Sequence, residues 1–426
     1  MGETSRMRTA NAQPIPYRTG VVAALDIGSS KITCLIGRAE PGSLKVLGAA
    51  LRESQGVKSA TVTSIDEAEE AIREAVAAAE NHADTRVQNV VISVACGSPA
   101  SITARAAAAL DGALVSDAHL HALLREGRIR CQQEGVEVIQ AAPTSYTVDE
   151  ARGVRDPRGM FCQRIGVAMH AVAVKPSPLQ NLKLAVERGH LSVAGSLFAG
   201  YASGLSTLTA DEMQLGATVI DMGGGVTSIA VFLEGQMVHA DVVPMGGHLV
   251  TTDLARMLAT PLSAAERIKT LYGAALGDIE SGTDMVAVPQ MGEDSDEYAV
   301  RVPRSMLTRI IQPRLEEILG EVQARLRASS FDVVAGRRAV LTGGACQLAG
   351  TRELTQRVLN KQVRIGRPQT FPGLPAASAG PDYATALGLL MAGATMPPES
   401  LNPDMAAQPQ QSRGSLFRRI TGGLFG

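Results

Sequence analysis

No tryptophan occurs in the 426 residues, and phenylalanine and tyrosine contribute only 7 and 6. A core built on large aromatic anchors is thereby excluded. Burial must come from Val, Ile, Leu, Ala and Met, the residues that fill parallel sheets covered by helices. Charge of one sign is lacking as well: 40 Lys and Arg face 42 Asp and Glu, a formal net charge of -2. No basic field broad enough to hold nucleic acid follows from that balance, and no nucleic-acid partner is expected. Cysteine is scarce, and Cys34, Cys96, Cys131, Cys162 and Cys346 are scattered without metal-ligand spacing. An odd, unclustered set fits a reducing compartment. Cys34 and Cys96 fall in apolar runs, where a thiol behaves as a small buried hydrophobe. Long apolar runs are missing too, none approaching the ~18 to 20 residues of a membrane-spanning helix. Residues 1–20 are polar with two prolines, so no secretory signal is expected and the chain is expected in the cytoplasm.

What is present is 45% hydrophobic and 19% charged, a composition for a packed chain of two or three domains. Residues 21–37 read as two apolar strands joined by a tight turn at Asp26-Ile27-Gly28-Ser29-Ser30, and 44–51 reads as a third strand. Over 64–80, Ile65, Ala68, Ile72, Ala75, Val76 and Ala79 recur at helical spacing, with Ser64 and Glu67 placed for a capping box. A strand is expected at 88–95. From 97 to 177 the character turns Ala-rich, polar and Arg-containing, with a helix near 116–131 and strand-like runs at 136–140 and 165–174. That stretch reads as a small inserted α+β unit. A helix at 178–190 and a strand at 191–198 resume the first pattern.

Residues 217–235 then repeat the layout of 21–37: apolar strand, Asp, Gly-rich turn, apolar strand. Two related lobes of an α/β protein are implied. Helices at 249–258, 263–272 and 304–327, a strand at 337–345 and helices at 350–359 and 382–392 complete the core. Residues 395–414, rich in Pro, Gln and Ser, read as a linker.

Three Gly-rich turns follow apolar strands: Asp26, Gly28, Ser29, Ser30 and Lys31; Asp221, Gly223, Gly224 and Gly225; Gly343, Gly344 and Ala345. Phosphate oxygens need several backbone N–H groups aimed at one spot, and glycine lets the backbone approach. Ser29, Ser30 and Lys31 add donors, and Asp26 and Asp221 can hold Mg²⁺ through water. One such turn alone is ordinarily only a hairpin. There is no Walker GxxxxGK[ST] run and no GxGxxG leading into a long helix. At 415–426, Leu416, Phe417, Ile420 and Leu424 share one helical face, with Phe425 beside them and Arg413, Arg418 and Arg419 as basic flanks. A weak amphipathic helix on an anionic leaflet is expected, firm only in many copies because Gly422 and Gly423 loosen its last turn.

In this order the three turns resemble the two phosphate motifs and the adenosine motif of the actin-like ATPase superfamily, whose two ribonuclease-H-like lobes clamp ATP and Mg²⁺. Glu266 and Lys269, in AERIKTLYG, resemble its ribose-contacting segment. Ala202–Leu205 and Asp382–Gly388 resemble its connecting helices. Within the superfamily, residues 20–426 resemble the FtsA family of bacterial cell-division proteins, through LDIGSSKITCLIG, DPRGM, VIDMGGGVTSIAVFLEG, RVPRSMLTRIIQPRLEEIL, LTGGACQLAG and the tail helix.

That resemblance implies a division of the chain. A disordered N-terminus (1–19) precedes subdomain 1A (20–96, 178–215 and 375–394), into which subdomain 1C (97–177) is inserted. Subdomain 2A (216–245 and 331–374) surrounds 2B (246–330), and the linker (395–414) and membrane helix (415–426) end the chain. It further implies polymerisation on the cytoplasmic face of the inner membrane at the division site. There the protein anchors FtsZ through that protein's C-terminal peptide on 2B, with Arg304, Arg309 and Arg314 as candidates, and recruits later divisome proteins through 1C. Val226 and Ser228 stand where the family often has Thr and Asp, and Ala199-Gly200 where it often has Glu-Pro. An ATP binder with at most slow hydrolysis is therefore expected. A sugar or acetate kinase and a chaperone of the same superfamily are the alternatives, the first needing a carboxylate base and the second a large C-terminal substrate domain.

Overall fold

The computed structural model describes residues 19–277, 284–292 and 299–396. The expected N-terminus up to residue 18, the linker from 397 and the amphipathic helix at 415–426 lie outside the described residues. In chain order the first elements are β1 (Gly20–Ile27), β2 (Lys31–Glu40), β3 (Ser43–Glu53), the short β4 (Val57–Lys58) and β5 (Thr61–Val62), α1 (Ile65–Ala83) and β6 (Asn89–Val94). Next come β7 (Ala100–Ala109), α2 (Asp117–Cys131), β8 (Glu137–Val148), β9 (Ala151–Val154) and β10 (Arg164–Val174). Then α3 (Pro176–Arg188), β11 (Ser192–Phe198), α4 (Ala199–Thr207) and α5 (Ala210–Leu215) return to the first sheet. The second half holds β12 (Ala217–Met222), β13 (Thr227–Leu233), β14 (Gln236–Val243), α6 (Gly247–Leu258), α7 (Leu262–Tyr272), β15 (Met285–Val288), β16 (Val300–Pro303) and α8 (Arg304–Ala328). It closes with β17 (Arg338–Thr342), α9 (Thr351–Leu359), β18 (Gln362–Ile365) and α10 (Ala384–Thr395).

Two five-stranded sheets carry the molecule, in the orders β11-β6-β1-β2-β3 and β14-β13-β12-β17-β18. Their topologies are the same. In each, an antiparallel meander of three strands comes first, and its first strand then pairs in parallel with a later one. The repeat read from two Asp-Gly turns is thus a repeat of whole lobes, and the central strand β12 is buried on both faces as a continuous run. α1 forms where its apolar period predicts, burying Ala68, Ile72, Ala75, Val76 and Ala79. Its capping box is only half made: Ser64 Oγ accepts from the Glu67 N–H, with no reciprocal bond from the Glu67 side chain.

Several strands went unread in the sequence: the short β4, β5, β9 and β18, and β7, β14 and the pair β15–β16. The Ala-rich run ASITARAAAA carries no strand signal of its own. It is extended because β10 pairs with it residue by residue, from Arg164 with Ala109 to Ala173 with Ala100. β7, β10, β8 and β9 form an antiparallel sheet backed by α2, inserted between β6 and α3. The last helix begins at Ala384, after a single 3₁₀ turn over Pro381–Tyr383.

A buried polar node ties this inserted sheet to the second lobe. Ser101 Oγ on β7 accepts from the Ala240 N–H on β14 at 2.8 Å and donates to the Ala240 carbonyl at 3.2 Å. His170 Nε2 on β10 supplies the third bond at 2.9 Å. Burial, with the charge of nearby His239, holds His170 down from 6.5 to about 4, so it is neutral in the folded chain. Its stabilising contribution is complete above pH 6.5 and is lost as the pH falls towards about 4, because unfolding takes up a proton there. We expect the urea midpoint of His170→Gln to vary less with pH than that of the parent between pH 7 and pH 4.5. The full difference corresponds to about 3 kcal/mol. Equal slopes would remove His170 from the acid response.

Candidate functional site: the interlobe cleft

The two Asp-Gly hairpin turns face each other across the lobes and are closed alike. Gly28 N–H donates to the Lys31 carbonyl at 3.0 Å, and Gly223 N–H donates to the Val226 carbonyl at 2.9 Å. They lie so near one another that a Cβ on Gly224 would stand 1.9 Å from Ser30 Oγ. The third turn needs glycine for another reason. Gly343 has φ +87° and packs its α-carbon side against Asp221, where a Cβ would lie 2.4 Å from Oδ1.

Around these turns opens a cleft of about 410 Å³. Every residue chosen from the sequence for phosphate, Mg²⁺, ribose or adenine lines it: Asp26, Gly28, Ser29, Ser30, Lys31, Asp221, Gly223, Gly224, Gly225, Glu266, Lys269, Gly343, Gly344 and Ala345. Val226, Ser228 and Ala199, the departures from the family pattern, line it as well.

Each carboxylate of the cleft already has a partner. Ser93 Oγ donates to Asp26 at 2.7 Å. Ser203 on α4 and Thr385 on α10 both donate to Asp221 Oδ2, at 2.6 and 3.0 Å. Asp382 takes the Lys31 ammonium at 2.6 Å, so that charge is not the free phosphate donor the sequence implied. Lys269 pairs with Glu266 at 2.7 Å, and both meet the Thr251 hydroxyl. Burial opposes ionisation of Glu266, but Lys269 and Thr251 overcome it and hold the carboxyl below its ordinary value. Asp26 and Asp221 go the other way. Burial raises Asp26 to about 6 against the Ser93 bond, with the Asp221 charge adding to the rise, and burial likewise raises Asp221.

Two carboxylates held up by burial in a cleft lined by Gly-rich turns are a fit for Mg²⁺. A cation relieves the penalty of their charge, and Mg²⁺ keeps most of its waters and takes few protein ligands. Among the described residues no group of three or more His, Cys, Asp or Glu is placed to hold a metal ion.

Sequence reasoning missed Ser93, Ser203, Thr385, Asp382 and His248. Asp382 and Thr385 stood inside a stretch read only as a connecting helix. The three arginines proposed for a peptide partner differ in availability. Arg314 is bound by Asp253 at 2.6 Å and by Glu317, and Arg304 donates to the Tyr272 carbonyl at 2.8 Å. Arg309 is exposed and makes no ion pair among the described residues.

Comparison with known proteins places this arrangement. The family model described as "Cell division protein FtsA" matches residues 218–388, and that of an "SHS2 domain inserted in FTSA" matches residues 97–173. Cell division protein FtsA of Rhizobium meliloti (strain 1021) is 41% identical over 391 residues, 89% of this chain and 88% of that protein. Among solved structures, the PilM-PilN type IV pilus biogenesis complex covers 89% of this chain and 99% of its own with a TM-score of 0.61 at 18% identity. MreB5 of Spiroplasma citri bound to ADP covers 88% of this chain and 95% of its own, with a TM-score of 0.50 at 12% identity. At those identities the structures show the fold alone, and that fold is actin-like with an SHS2 insertion.

Proposed function

We propose, from the premise that the chain belongs to the FtsA family of bacterial cell-division proteins, that it is an ATP-binding, membrane-attached adaptor for FtsZ filaments. The observation that carries the ATP reading is the convergence of three separate Gly-rich turns on one cleft. The ADP held by MreB5, a protein of the same fold, adds support.

In this reading the two Asp-Gly turns offer the phosphates their backbone amides other than those of Gly28 and Gly223, which close the turns. Asp26 and Asp221 hold Mg²⁺ through water, and Glu266 and Lys269 contact the ribose. The Gly343–Ala345 turn seats the adenine. The bound cation supplies charge neutralisation at the phosphates. With all four cleft carboxylates hydrogen-bonded or paired, and Ala199 offering only a methyl group, no carboxylate of the cleft is left without a partner to act as a base. Binding with slow hydrolysis at most follows.

The chain polymerises through actin-like contacts and receives the FtsZ C-terminal peptide on 246–330. There the exposed Leu262, Leu271, Tyr272 and Met306 offer apolar surface and Arg309 a cation with no ion pair among the described residues. Later divisome proteins are met through the inserted 97–177 unit. No described helix is long and apolar enough to cross a membrane, so attachment to the inner face is assigned to residues 415–426. Three arginines near an anionic surface contribute about 3 kcal/mol before ordering costs.

Deleting 414–426 is expected to drop co-sedimentation with phosphatidylglycerol vesicles to the level without lipid, while binding of Mg·ATP is kept. Undiminished sedimentation would remove the membrane role. ATP consumption stimulated many-fold by a small sugar would overturn the adaptor reading in favour of a kinase.

A further inference from the structure

One residue joins the two phosphate turns. The main-chain N–H of His248, on the first turn of α6, donates to the Gly224 carbonyl at 2.8 Å, and Gly247 N–H donates to the Gly223 carbonyl at 3.0 Å. α6 therefore moves with the second-lobe turn. The His248 ring reaches the other way, to the first lobe. Its Nε2 lies 3.0 Å from Ser30 Oγ and 3.3 Å from the Ser29 carbonyl. A carbonyl only accepts, so Nε2 carries the proton and a single N–H is shared between two neutral acceptors. The ring is exposed and the longer contact is weak, so this link is easily given up.

The neighbouring hydroxyls differ in their commitments. Ser29 Oγ accepts from the Ala60 N–H at 2.8 Å and is anchored. Ser30 Oγ has no partner but His248 among the described residues, so it can turn towards a ligand together with the ring. An anion lodged between the turns competes for the Nε2 proton on favourable terms, because a hydrogen bond to a charged acceptor is roughly twice as strong as a neutral one.

We propose that His248 reads the terminal phosphate. Resting on the reading of the cleft as an ATP site, it leaves Ser29 and Ser30 and donates Nε2–H to the last phosphate of a nucleoside triphosphate. A diphosphate leaves the ring on the serines. Since the backbone of His248 is fixed to the Gly224 turn, the position of α6, and with it the second lobe, follows the number of phosphates bound.

The test is calorimetric titration of Mg·ATP and Mg·ADP into the full chain and into His248→Ala and His248→Gln. For His248→Ala the affinity for ATP is expected to fall about tenfold and that for ADP less than about twofold. His248→Gln, which keeps an N–H donor, is expected to retain most of the ATP preference, and it carries the test alone if the alanine variant does not fold. Equal losses for both nucleotides, no loss for either, or a glutamine variant indistinguishable from a folded alanine variant would overturn the role of His248 while leaving the ATP site standing. Failure of the parent chain to bind either nucleotide would instead overturn the ATP reading, and this inference with it.

Discussion

Gly388→Ala is expected to lower stability by on the order of 3 kcal/mol and to weaken Mg·ATP binding at the same time. Gly388 lies inside α10 where that helix crosses α4, and a Cβ there would stand 1.7 Å from the Ala202 carbonyl oxygen and 2.4 Å from its carbon. Backbone atoms cannot rotate aside as a side chain can, so the helices must separate to restore ordinary contact. The better helix propensity of alanine returns about 1 kcal/mol and does not cover that loss. The same separation pulls on Ser203 and Thr385, which hold Asp221 from the two helices, and on the bond from Ser206 Oγ to the Ala384 carbonyl at 2.7 Å. A clash remote from the cleft is thereby passed to the cleft. Gly320→Ala serves as the control. That glycine sits in α8 with nothing within 4 Å of its Cβ position, and the change is expected to be neutral or to add up to about 1 kcal/mol. Urea unfolding of both variants decides, and equal midpoints would refute the crossing argument.

The legible and illegible parts of the molecule divide along a physical line. The turns at Asp26 and Asp221 could be read because a strand, a carboxylate and a glycine turn lie within a few consecutive residues, and α1 because one face repeats at helical spacing. The inserted unit could be bounded by its change of composition. Its strand β7 could not be read, since ASITARAAAA favours a helix by propensity and is made extended only by β10, more than 50 residues away. The partners of the cleft carboxylates were hidden for the same reason. Lys31 and Asp382 are 351 residues apart, and Thr385 and Asp221 are 164 apart. No periodicity marks pairs that only the closed fold brings together. His248 was passed over because its role comes from the direction of its ring, across the cleft, and a lone histidine after two glycines carries no such signal.

Asp26→Asn is expected to make the protein more stable at neutral pH and nearly unable to bind Mg·ATP. Asparagine keeps the size of the side chain and still accepts from Ser93, so the hydrogen bond at 2.7 Å survives. What disappears is a charge that the folded chain holds at a cost. The carboxyl titrates near 3.8 unfolded and about 6 folded, chiefly because of burial, with Asp221 adding to the rise and Ser93 and Lys31 opposing it. Its favourable contribution is therefore complete below about 3.8 and is lost as the pH rises through about 6. Asp26 is only half-buried at the cleft floor, so the penalty above that range is about 1–2 kcal/mol rather than the full value of the shift. The variant is thus expected to exceed the parent by that amount at pH 7.5 and to match it near pH 4, the reverse of the trend expected for His170. Binding moves against stability: in the proposed Mg·ATP site, with one of two carboxylates neutral, the cation would lose half its anchoring charge, and Mg·ATP affinity is expected to fall more than about tenfold. A variant that loses stability and binding together would mean that Asp26 is a structural residue. The opposite signs mark a charge kept in an unfavourable place because the ligand needs it there.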